Sequence, residues 1–261
     1  MNILKKTAVW FILVIYLILV AAFAGSHYEN QLCNRIEVSI EDSLETGFLN
    51  RDDILHLLES KSFKYLGIAL QQIDLDTIEK IICENQIVRS CNAYTGVNGT
   101  LHIDIGQRTP FVRIIEKSGK SYYLDREGNV LNLSRRYSPH VLVVNGNINS
   151  SVRVGQPVNI MALSVSGKDK KLGELYELTS FICNHQLWNA QIVQVYVNRS
   201  GEYELIPRVG SHIIILGSIQ DYREKFENLE LFYKEGLNYI GWNQYVKINL
   251  KYKDQIVCTK I

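Results

Sequence analysis

Histidines, cysteines and paired carboxylates most often carry chemistry, and in this sequence they are dispersed. The six histidines (His27, His56, His102, His140, His185 and His212) have no histidine four residues on and no cysteine at zinc-ligand spacing. The five cysteines (Cys33, Cys83, Cys91, Cys183 and Cys258) form no C-x-x-C pair and no dense disulfide framework. Cys83 and Cys91 could meet if a helix packs on a strand; small buried thiols are the simpler reading. The acidic pairs Glu41-Asp42 and Asp52-Asp53 stand at helix starts or turns, where capping and the helix dipole account for them. Asp125 and Glu127 share a turn with Gly128 and Asn129, where Asp is expected to hydrogen-bond locally. No G-x-S-x-G elbow, P-loop or H-E-x-x-H occurs. The sequence therefore predicts no catalytic residue, no metal site and no cofactor.

The elements that would hold a site are easier to read. Residues 36–40 alternate as a short strand. Asn50 caps a helix over RDDILHLLES, whose Ile54, Leu57 and Leu58 form one apolar face. A second helix follows at DLDTIEKIICEN, capped by Asp74 or Asp76, with a stripe of Leu75, Ile78, Ile81 and Ile82. Two strands, 87–94 and 100–105, are joined by the glycine-rich TGVNG. In the second, Leu101, Ile103 and Ile105 alternate with His102 and Asp104 until Arg108-Thr109-Pro110 interrupts. Proline lacks a ladder donor, so an edge or a junction between sheets is expected there.

After Pro110 the texture changes to short strands and turns carrying two amphipathic helices. One runs through KKLGELYELTSFICNHQLW with Leu172, Leu175, Thr179 and Ile182 on a face. The other, DYREKFENLELFYKEG, has a stripe of Tyr222, Phe226, Leu229 and Tyr233, with Gly236 as its stop. The C-terminal YVKINLKYKDQIVCTKI reads as two strands about a Lys253-Asp254 turn or as one bent strand. The expected fold class is α+β: a βααββ domain over 33–108, then a mostly antiparallel β domain over 109–261.

Residues 7–25 contain no charge and follow Lys5 and Lys6. A helix of that length spans roughly 28 Å, about the thickness of the bilayer core. A retained anchor over 8–25 with a cytoplasmic tail at 1–7 fits the length of the run. A cleaved signal peptide is the alternative, since Ala22-Phe23-Ala24 is an A-x-A site. Either way the rest of the chain is expected outside the cytoplasm. A net charge of +1 over 261 residues, with no Lys/Arg cluster, argues against nucleic-acid binding. Four N-x-[ST] triplets, at Asn98, Asn132, Asn149 and Asn198, would matter only in a eukaryotic secretory protein.

The layout resembles the bacterial cell-division family FtsQ/DivIB. A basic N-terminus and one apolar span precede a βααββ unit like a POTRA domain, and a β domain follows. The likeness is carried by Leu75, Ile78, Glu79, Ile81, Val88, Cys91 and Ala93, then Gly99-Thr100-Leu101, Ile103, Ile105, Arg108 and Pro110. It continues through Asp125, Gly128 and Val130; Leu216, Gly217, Lys225 and Leu229; and Val246, Ile248, Leu250, Lys251 and Tyr252. Gln107 stands where the family has Glu, Asn85 where Pro is common, and Asn249 and Lys251 where it has Asp and Arg. The resemblance favours the retained anchor and puts Arg108 and Pro110 at the domain junction. It implies a non-enzymatic, single-pass scaffold of the inner membrane at the division septum, linking early and late division proteins. Partners would be FtsB- and FtsL-like proteins, with no small-molecule substrate. In the family the last strand receives a partner strand, which carries over to an edge at Lys251, Tyr252, Asp254, Ile256 and Val257, Tyr252 being the anchor. Rival readings are an exported enzyme or binding protein with an unrecognised pocket, and a POTRA-containing secretion or assembly component. The latter calls for repeated units or a barrel, and the sequence has neither.

Overall fold

A computed structural model of the chain describes residues 10–20, 31–41, 47–96, 98–134, 136–165, 167 and 169–261. The cytoplasmic tail expected at 1–7, the ends of the expected span at 8–9 and 21–25, and the A-x-A site lie outside them. Residues 10–20 form helix α1, whose apolar side chains are exposed. Among the described residues no helix is long and apolar enough to cross a membrane. The chain divides into two compact units, 1–107 and 108–261.

In the first unit, β1 (Arg35–Ile40), α2 (Arg51–Ser60), α3 (Leu75–Cys83), β2 (Val88–Thr95) and β3 (Thr100–Gln107) follow the expected order. The strands are arranged β1-β3-β2, β1 parallel and β2 antiparallel to the central β3. Helix α2 starts with a capping box: the Asp53 N–H donates to Asn50 Oδ1 at 2.8 Å, and the Asn50 N–H to Asp53 Oδ2 at 3.0 Å. Asp74 caps α3 by accepting from the Thr77 N–H. Leu101, Ile103 and Ile105 are fully buried, as are Ile54, Leu58, Ile78 and Ile82 of the helices. Each contributes about 1.5–3 kcal/mol. On the opposite face His102 stacks on Tyr94 at 5.0 Å and lies 3.4 Å from Glu37 Oε2, an ordinary half-exposed histidine. Glu79 reaches across from α3 to accept the Ala93 N–H at 2.8 Å. Cys91 is an unbonded thiol, which burial and then the neighbouring Cys83 push up to about 12.

The second unit is one nine-stranded sheet. In chain order its strands are β4 (Pro110–Ile115), β5 (Ser121–Asp125), β6 (Val130–Leu131), β7 (Leu142–Gly146), β8 (Ile192–Val197), β9 (Tyr203–Pro207), β10 (Ile213–Gly217), β11 (Tyr245–Asn249) and β12 (Val257–Lys260). Across the sheet they run β12-β11-β10-β9-β8-β7-β4-β5-β6. The sheet is mixed: β4, β7 and β8 are mutually parallel, as are β10 and β11, and the other neighbours are antiparallel. Pro110 is the first residue of β4, where a missing N–H costs no ladder bond.

This unit holds more helix than the two amphipathic segments expected. Helices α4 (Ile160–Val165), α5 (Lys170–Asn184) and α6 (Gln186–Gln191) precede β8, and α7 (Tyr222–Phe232) follows β10. The predicted stripes are buried as spaced: Leu172, Leu175, Thr179 and Ile182 on α5, and Tyr222, Phe226 and Leu229 on α7. Gly236 is not a helix stop. A π-helical turn, Tyr233–Leu237, carries the chain through it into α8 (Asn238–Ile240), which ends at Gly241.

The π turn delivers Tyr233 to His212, which is 2% exposed with Nε2 2.9 Å from the Tyr233 hydroxyl. Burial lowers the His212 pKa from 6.5, opposed weakly by the Trp242 carbonyl, which lies outside hydrogen-bond geometry to Nδ1. The folded-state pKa therefore lies below the unfolded one. The stabilisation is fully present above about pH 6.5 and is lost as pH falls from there through the depressed value. Thermal melts between pH 7 and 5 are expected to show a larger fall in wild type than in His212→Gln; equal falls would remove His212 from the account.

Candidate partner-binding edge

The two edges of the nine-stranded sheet differ. Beyond β6 the chain segment 155–160 closes the edge: the Val130 N–H donates to the Val158 carbonyl and the Ile160 N–H to the Gly128 carbonyl, both at 2.9 Å. Among the described residues no strand pairs beyond β12. The directions of its backbone groups follow from its two ends. The Leu250 N–H turns towards β10, donating to the Ile215 carbonyl, so Asn249 and its partner Val257 face each other. The Ile261 N–H donates to the Gln244 carbonyl. The pleat between them directs Val257 and Thr259 towards β11, and turns the N–H and C=O groups of Cys258 and Lys260 outward. Val257, Thr259 and Lys260 are exposed, whereas Cys258 packs against the core.

The sequence put the edge over Lys251–Val257, and only Val257 of that stretch lies in a strand. Asn249 ends β11 by accepting the Lys251 N–H on its own side chain at 3.0 Å, an Asx turn that lifts the chain out of the ladder. Asp254 then takes a left-handed conformation, φ 57°, inside the Tyr252–Asp254 turn. Tyr252, Asp254 and Ile256 therefore lie beside the edge rather than along it. Tyr252 is 52% exposed; Ile256 is half-buried against the core. The two strands about a Lys253-Asp254 turn that the sequence offers are β11 and β12, and Cys258, Thr259 and Lys260 lie in the second, outside the Lys251–Val257 stretch carried over from the resemblance.

The turn is held by residues scattered along the chain. Lys251 Nζ pairs with Glu202 Oε1 at 2.6 Å, a contact that lowers the Glu202 pKa and raises that of Lys251. Its stem crosses Gly217, where a Cβ would lie 2.7 Å from Lys251 Cγ and where φ is +77°. Lys225 Nζ donates to the Leu216 and Ser218 carbonyls, tying α7 to the end of β10; burial lowers its pKa. Lys225 and Lys251 line a cleft of about 400 Å³ together with Asp221, Leu250, Tyr252 and Ile256. Gly217→Ala is expected to cost about 1–3 kcal/mol and to displace the Lys251–Tyr252 turn, read as a lower melting temperature and altered amide shifts at 251–254. Unchanged shifts there would separate Gly217 from the turn.

A second network gathers the other motif residues. Arg108 Nη1 lies 2.8 Å from Asp125 Oδ2 and 2.6 Å from Glu127 Oε2. Burial alone would lower the Arg108 pKa, but its hydrogen bonds to Glu127 and Asp125 raise it. Asp125 also accepts from the Glu127 and Asn129 N–H groups and from Asn129 Nδ2. Gly128, at φ +83°, completes the turn that lets one carboxylate reach all of them. Among the described residues, no group of three or more His, Cys, Asp or Glu could hold a metal.

The family model for the FtsQ/DivIB C-terminal related domain matches residues 109–259. The chain belongs to the FtsQ/DivIB family. A POTRA-like domain model matches residues 31–106, the unit with the β1-β3-β2 sheet. No curated protein matches the chain. Membership of FtsQ/DivIB, a non-enzymatic family, carries a role in cell division. Among the residues that carry this likeness in the sequence, Arg108, Asp125 and Gly128 share one of the networks above, and Leu216, Gly217, Lys225 and Lys251 share the other.

Proposed function

We propose that this FtsQ/DivIB protein is a non-enzymatic scaffold of the division machinery that captures an FtsB-like partner, with its FtsL-like companion, by strand addition along β12. The observation that carries the reading is the asymmetry of the sheet: one edge is closed by 155–160, and the other is open over Val257–Lys260 among the described residues. Natural sheets cover or blunt their edges, so an open one suits pairing with another chain. Backbone groups of Cys258 and Lys260 supply the pairing. Tyr252, with an apolar ring and a hydroxyl, is the anchor beside the edge, and Lys251, Asp254, Ile256 and Val257 complete the contact. Arg108 and Pro110 form the junction between the POTRA-like domain and the β domain.

In this reading the chain is held in the inner membrane by a single span at 8–25, with the N-terminus cytoplasmic and both domains outside, and it gathers at the septum. The uncharged run 7–25 behind Lys5 and Lys6 supports this orientation. Depletion in the host, followed by microscopy, tests the role. Long cells with segregated nucleoids and no septa are expected; cells dividing at normal length would sink it.

A further inference from the structure

At the opposite end of the sheet from the Tyr252 cleft lies a second cleft, of about 450 Å³. The first sits at the C-terminal ends of β10 and β11; this one sits where β4, β7 and β8 begin. Its floor is apolar, made by Phe111, Leu142 and Ile192, and its rim is basic, made by Arg126, His140 and Arg208. None of the lining residues is acidic.

Arg126 is held in place. Its guanidinium lies 5.6 Å from the centre of the Phe111 ring, Nη1 donates to Asn184 Oδ1, and its backbone carbonyl accepts from the Tyr176 hydroxyl. Among the described residues, neither Arg126 nor Arg208 has an ion-pair partner, unlike Arg108 with its two carboxylates. In a chain of net charge +1 this is a local, uncompensated excess of positive charge beside an apolar floor.

We propose that this cleft binds an acidic, amphipathic peptide segment of a protein partner. Carboxylates pair with the Arg126 and Arg208 guanidinium groups, whose planar forks match that geometry, and an apolar side chain rests on Phe111, Leu142 and Ile192. The floor argues against a bare inorganic anion, which has no use for it. Anionic lipid recognition calls for clusters of about four to eight Lys/Arg, more than the two arginines here. The cleft volume is in the range of about 300–1,000 Å³ typical of ligand sites. This inference goes beyond the β12 reading and does not depend on it.

The test titrates the purified full-length chain with a fluorescent peptide alternating glutamate and leucine, followed by anisotropy. Saturable binding is expected. It should weaken about tenfold or more with glutamine in place of glutamate, and equally in an Arg126→Gln/Arg208→Gln double variant. Arg208→Gln alone, a change on the exposed rim, should weaken binding with an unchanged melting temperature. Absence of saturable binding, equal affinity for the glutamine peptide, or full affinity in the double variant overturns the proposal. Displacement by inorganic phosphate as tight as the peptide's own binding would reassign the cleft to a small anion. Arginine-dependent binding of anionic phospholipid vesicles without peptide binding would reassign it to a membrane.

Discussion

Proline at Lys260 is expected to abolish capture of an FtsB-like strand while leaving the β domain folded. The Lys260 N–H points away from β11, so its loss removes no internal ladder bond, and the pyrrolidine ring blocks the approach of a further strand. Losing one pairing site outright and forcing the added strand off its neighbours should lower affinity by about a hundredfold or more. Thr259→Pro is the contrasting variant. Its N–H faces β11, opposite Lys247, so proline there should detach β12 and lower the melting temperature as well. Calorimetry with the extracytoplasmic segment of the partner, paired with thermal melts, separates the two. Wild-type affinity in Lys260→Pro would end the strand-addition reading, and an unaffected melt in Thr259→Pro would overturn the assigned pleat.

Asp125→Ala is expected to produce a large loss of stability in the β domain. The Asp125 side chain is 5% exposed and accepts four hydrogen bonds, one from the Arg108 guanidinium and three from the turn at 127–129. Removing it leaves a largely buried arginine with only Glu127 and strips the acceptor from two backbone N–H groups. Breaking a buried pair from one side costs about 3–5 kcal/mol. For a domain of this size that lowers the melting temperature by roughly 10 °C. Glu127 binds the same guanidinium but is 62% exposed. Its alanine variant should cost less than about 1 kcal/mol because solvent already screens the pair. Similar melts for the two variants would contradict this ranking, and a shift of a degree or two for Asp125→Ala would show that the turn holds without its carboxylate.

The same two networks divide what the sequence could and could not reveal. The sequence by itself determined the cap at Asn50, narrowed that of α3 to Asp74 or Asp76, and gave the buried stripes of α5 and α7, Ile78 and Ile82 of α3, and the alternation of Leu101, Ile103 and Ile105, because each depends on residues within a turn or two of one another. It also determined the family likeness, since motif order survives without knowledge of any contact. It misjudged the end of α7, where a π turn puts Gly236 inside the helix so that Tyr233 can meet His212, 21 residues away in the chain.

Only the tertiary structure decided which strand is the open edge. The sequence leaves Lys251–Ile256 between a turn at Lys253-Asp254 and one bent strand; an Asx turn at Asn249 and a left-handed Asp254 take it out of the ladder, which resumes at Val257. Edge identity is a property of the whole pairing order, with β12 last beside β11 and β6 closed by 155–160, and no local pattern encodes it. The union of Arg108 with Asp125, the passage of Lys251 over Gly217, and the meeting of Arg126 and Arg208 at one cleft are likewise non-local. They bring together residues 17, 34 and 82 positions apart, and only the folded sheet supplies the geometry that makes them neighbours.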